Sequence, residues 1–146
     1  MAREAYITGV GQSEVGVRLP RHPLLLTIDA INVALKDAGL TLDQIDGVFS
    51  FPGKSNGYLA FSPVGTDEII EVCGIKSKWQ MGAMEQPAQL SAIGMAAMAV
   101  KHGLCRHVIC FRTGYEAGGM ANPAEFMRLQ HQEVSRATPG TSPFRP

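Results

Sequence analysis

Residues 84–111 read MEQPAQLSAIGMAAMAVKHGLCRHVICF. Pro87 suits the first position of a helix, where its missing N–H would have no partner in any case. Gly103 supplies a stop just after Lys101 and His102, and residues 107–111 form a compact apolar strand. Between those signals the helix is built of small side chains. Ala88, Ser91, Ala92, Gly94, Ala96, Ala97 and Ala99 spread around its circumference, and Leu90, Ile93, Met95, Met98 and Val100 fill the rest. A helix apolar on all sides is expected to be buried on all sides. Gly94 costs about 1 kcal/mol of helix propensity against alanine, so a tight contact is expected to offset it. Helix 87–102 is therefore expected to be central, with a second domain packed over it.

Working outward, the same grammar repeats. Residues 5–11, AYITGVG, read as a buried first strand, and Gly9, Gly11 and Gly16 permit tight turns or close approach to another element. Residues 22–40 read as a helix with Pro23 in its first turn, Gly39 as its stop, and Leu24, Ile28, Ile31 and Leu35 on one face. TLDQ, residues 41–44, has capping-box spacing, and IDGVFSF, residues 45–51, runs into a second strand. A loop rich in Pro, Gly, Ser and Asn follows. Residues 66–74 read as a helix with Thr66 as N-cap, two acids in the first turn and Gly74 as the stop. Residues 75–81, IKSKWQM, give a short third strand.

Four strands alternating with three helices predict an α/β layer with a mainly parallel sheet and helices on both faces. After Phe111 the texture changes to loop, a helical pattern over 123–134, and loop again. The expected division is an α/β unit at 5–120 and an extension at 121–146 that leads towards a missing remainder.

Composition narrows the function classes. Hydrophobic residues are 45% and charged residues 18%, a globular balance leaning towards burial. Basic and acidic residues number 13 each, which gives no electrostatic footprint for nucleic acid. Cys73, Cys105 and Cys110 are an odd number without a C-x-x-C pair, which argues against a disulfide scaffold or a zinc site and for a reducing cytoplasm. No apolar run approaches the ~20 residues of a membrane span. The four histidines show no paired metal spacing, and GVGQSEVG is not a G-x-G-x-x-G dinucleotide motif.

Three blocks, YITGVGQSEVG (6–16), ALKDAGLTLDQIDGVFSF (34–51) and SAIGMAAMAVKHGLCRHVIC (91–110), together resemble the N-terminal part of the thiolase superfamily. They look most like its sterol-carrier-associated thiolases and thiolase-like aldolases. The resemblance implies a thiolase-like fold of two α/β domains in five layers, of which this chain supplies an N-terminal half-domain. It implies a central third helix, and a dimer contact through the strand at about 78–81. The family's histidine and second cysteine lie in a second domain with no counterpart here.

In such thiolases the N-terminus of the third helix carries a nucleophilic cysteine, where the helix dipole and free N–H groups favour a thiolate. Counting back from Gly103 places that position at Gln86, with a slip of one residue reaching Glu85 or Pro87. None of these is cysteine, and a glutamine amide cannot act as an acyl-accepting nucleophile. Met84 and Glu85 are the expected substrate-binding neighbours. The resemblance then implies retro-aldol cleavage of acyl-CoA thioesters of steroid side chains, without a cysteine nucleophile and with no cofactor beyond the coenzyme A of the substrate. It also implies a small OB-fold and zinc-ribbon partner. Two alternatives stay open: an acyl-CoA acyltransferase (thiolase) fragment, and a non-catalytic subunit. Either a homodimer or a hetero-oligomer with a thiolase-like chain fits, and neither nucleic acid nor a membrane is an expected partner.

Overall fold

A computed structural model describes residues 3–17, 19–54, 61–82 and 88–116, together with Ala124 and Arg128. Helix α1 spans Pro23–Ala38, strand β1 Gly47–Ser50, helix α2 Thr66–Cys73, strand β2 Trp79–Gly82, helix α3 Ala88–Lys101 and strand β3 Val108–Phe111. A 3-10 turn, Leu42–Gln44, precedes β1. The sheet order is β2-β1-β3, and β1 runs parallel to both neighbours. Consecutive strands are joined by helices, α2 between β1 and β2 and α3 between β2 and β3, as parallel strands require.

The helix ends follow their sequence signals closely. Pro23 opens α1, and the His22 imidazole Nδ1 accepts from Leu24 N at 3.2 Å. Gly39, Gly74 and Gly103 take positive φ of 65°, 64° and 75°, a conformation that glycine adopts without a Cβ clash. Gln44 Oε1 accepts from Thr41 N at 2.9 Å, as the capping-box spacing predicts. The cap of α2 is corrected by one residue. Gly65 is its N-cap and Thr66 its first helical residue, because Glu68 reaches back to Gly65 N at 2.7 Å.

Alternation along β1 splits the core into two layers. Val48 packs with Leu24, Ile31 and Leu35 of α1, with Ile69 of α2, and with Ile109 and Phe111. Phe49 faces the other way, towards Ala92 and Met95 of α3 and towards Trp79, Met81 and Val108. Helices α1 and α2 thus cover one face and α3 the other. Both Val48 and Phe49 are 0% exposed, which marks β1 as the central strand.

Asp46, immediately before β1, pins the amino ends of all three strands. Its Oδ1 accepts from Arg106 N at 2.7 Å and His107 N at 3.0 Å, just ahead of β3. Its Oδ2 accepts from Lys78 Nζ at 3.1 Å, just ahead of β2. Burial opposes ionisation of this carboxyl, but the two backbone donors and Lys78 outweigh it and hold its pKa below the ordinary value. β2 starts later than the sequence suggests, because residues 75–77 form a tight turn in which Ser77 N donates to the Ile75 carbonyl at 3.0 Å.

One expectation is overturned. Residues 5–11 are not a strand. They lie against α1, so close that a Cβ on Gly11 would stand 2.1 Å from the Ala30 carbonyl oxygen. Among the described residues no strand is beside them to complete a ladder, and strand composition alone does not make one. Helix α3, expected to lie under a second domain, has one face on the sheet and one open in this chain, which neither bears out nor overturns that expectation. Ala92, Ala96 and Ala99 meet the sheet, while Leu90 is 80% exposed and Met98 53% exposed. Nothing stands within 4 Å of a Cβ placed on Gly94, so no contact within the described residues offsets its cost. One sheet can cover only one side of a helix.

That uncovered stripe, Leu90, Ile93 and Met98, carries a prediction about assembly. Light scattering at high concentration should find a dimer or larger species, and the pair Leu90→Asp with Met98→Lys should return it to monomer. A well-behaved monomer of the unaltered chain would refute this. The extension at 121–146 lies outside the described residues apart from Ala124 and Arg128, which are both helical.

Candidate functional site

In a parallel sheet the strands' carboxyl ends and the N-termini of the following helices gather on one edge, which is where open α/β sheets place ligands. Here that edge holds the exits of β1 at Ser50, of β2 at Gly82 and of β3 at Phe111. The N-termini of α2 and α3 lie on the same edge because each helix runs back antiparallel to its strands. The Asp46 pin is at the opposite edge and belongs to stability.

The β1 exit is held by hydroxyls. Ser50 Oγ donates to the Pro52 carbonyl at 2.7 Å and Ser62 Oγ donates to the same oxygen at 2.9 Å. Both serines are 1% exposed, so these bonds satisfy groups that have left water. Pro52 follows a cis peptide bond. Lys54 pairs with Glu68 at the start of α2. At the β3 exit the Arg112 guanidinium sits 5.8 Å from the Phe61 ring centroid, a cation–π distance. Thr113 and Thr27 share a buried hydroxyl–hydroxyl bond of 2.5 Å, and Tyr115 OH donates to the Leu19 carbonyl at 2.6 Å. These two contacts dock the β3 exit onto the start of α1.

The sequence-derived site residues Met84, Glu85 and Gln86 lie outside the described residues. The chain bearing them leaves β2 at Gly82 and enters α3 by Ala88. Arg112, Phe61 and the Ser50–Pro52–Ser62 cluster were not singled out by sequence reading. The available signal was positional, since each directly follows a strand or precedes a helix on the carboxyl edge.

The three thiols are placed well. Cys73 ends α2, and burial raises its pKa. Cys105 is buried before β3, and its thiol is raised by burial and then by the Asp46 charge. Cys110 lies within β3 and keeps an exposed surface. Protein around its sulfur, with Cys105 nearby, still pushes the thiol up to about 11. Each is displaced away from thiolate character, the opposite of an activated nucleophile. Among the described residues no three His, Cys, Asp or Glu side chains gather as a metal site. No helix among them is long and apolar enough to cross a membrane.

This is a chain similar to steroid side-chain aldolases and lyases. It is 27% identical over 119 residues to a steroid side-chain-cleaving aldolase of Thermomonospora curvata, covering 80% of this chain and 28% of that protein. It is 30% identical over 121 residues to the 17-hydroxy-3-oxo-4-pregnene-20-carboxyl-CoA lyase of Mycobacterium tuberculosis, covering 82% of this chain and 30% of that protein. A solved structure described as an Ltp2-ChsH2(DUF35) aldolase superposes with a TM-score of 0.68 at 25% identity, over 88% of this chain and 32% of that one. No family model matches the chain. The chain thus spans about three tenths of the length of the relatives it matches.

Proposed function

We propose that the chain is the N-terminal part of a thiolase-like aldolase that cleaves a carbon–carbon bond in steroid side-chain CoA thioesters without an acyl-cysteine. In a retro-aldol step a base takes the proton of the β-hydroxyl and the Cα–Cβ bond breaks. The electron pair passes into the thioester enolate, which is then protonated, leaving a carbonyl compound and a shortened thioester. Such chemistry needs a base and hydrogen-bond donors for the enolate oxygen, and no acyl acceptor. Gln86 is assigned to the N-terminus of α3, where its amide N–H and the free helix N–H groups would donate to the thioester oxygen. Met84 and Glu85 would border the substrate beside it. The full activity belongs to the assembled protein, either a homodimer of a longer chain or a hetero-oligomer with a thiolase-like chain, together with a small OB-fold and zinc-ribbon protein.

The observation that carries this reading is the state of the three thiols. All are raised, and each belongs to an α2, β3 or pre-β3 position and not to the start of α3. The names of the two relatives point the same way. Intact mass spectrometry after incubation with an acyl-CoA should show no stoichiometric adduct on Cys73, Cys105 or Cys110. An adduct on any of them would sink the proposal and favour acyl transfer. In the assembled protein Gln86→Cys should gain acylation. If it stays inert while a retro-aldol assay remains positive, Gln86 does not face the substrate.

A further inference from the structure

We draw no further inference here: the strongest candidate, the cavity of about 320 Å³ between residues 11–16 and 111–116 at the carboxyl edge of the sheet, is walled by the Arg112 guanidinium and by the Glu14 and Glu116 carboxylates alike, so its charge selects no class of ligand, and nothing in the structure shows what covers it.

Discussion

Phe49→Ala should leave the chain unfolded or at the edge of unfolding at 25 °C. Phe49 is 0% exposed at the middle of the central strand, with its ring centroid 5.9 Å from that of Trp79. It is the residue through which Ala92 and Met95 of α3 meet the sheet. Small side chains on α3 cannot grow into the space, so the cavity would not collapse. The expected loss is about 3–5 kcal/mol. A domain of this size has about 5–15 kcal/mol in total, and one with an uncovered helix face belongs at the low end. Phe49→Leu keeps most of the volume and should lose less than half as much. Urea unfolding followed by circular dichroism measures both, and a loss below about 1 kcal/mol for Phe49→Ala would show that α3 does not depend on this contact.

The second large effect belongs to Asp46. Its carboxylate is 11% exposed and takes two backbone donors, while its partner Lys78 is 65% exposed. Removing the carboxylate strands the Arg106 and His107 N–H groups, and Asp46→Ala should lose about 3–5 kcal/mol. Lys78→Met should lose less than about 1 kcal/mol, because water screens so exposed a partner. The two variants therefore separate a hydrogen-bonded pin from a salt bridge. The pH dependence has a definite sign. A carboxyl with a lowered folded pKa binds its proton less readily folded than unfolded. Its contribution is complete above the unfolded value of about 3.9 and is lost as pH falls through the lower folded value. The wild-type chain should lose stability with acid in that window, and Asp46→Asn should show a flatter profile there. An identical acid slope in both would show that the pin does not couple to folding.

Local signals in the sequence decide the structure where the physics is local. Pro23, Gly39, Gly74 and Gly103 mark helix ends through their own backbone preferences, which no neighbour can change. The 4-3-4 spacing of Leu24, Ile28, Ile31 and Leu35 chose the buried face of α1 for the same reason. The one-residue error at Thr66 arose because a side chain three residues on, Glu68, decided which residue caps α2. In the sequence Asp46 is simply an acid before a strand. Its role exists only because residues 78 and 106–107, distant in the chain, arrive beside it.

By itself the sequence determined the α/β alternation, the parallel order of crossovers and the apolar character of α3, since these follow from periodicity, caps and connection length. Tertiary structure alone decided which of those elements become what they resemble. A strand needs a second strand, and residues 5–11 have none among the described residues, so a stretch of strand composition stays unpaired on α1. A buried helix needs cover on two sides, and α3 has the sheet on one, so Leu90, Ile93 and Met98 face water. Both outcomes have one physical cause. Pairing and burial are properties of two surfaces, and a sequence can specify its own surface without containing the one that meets it.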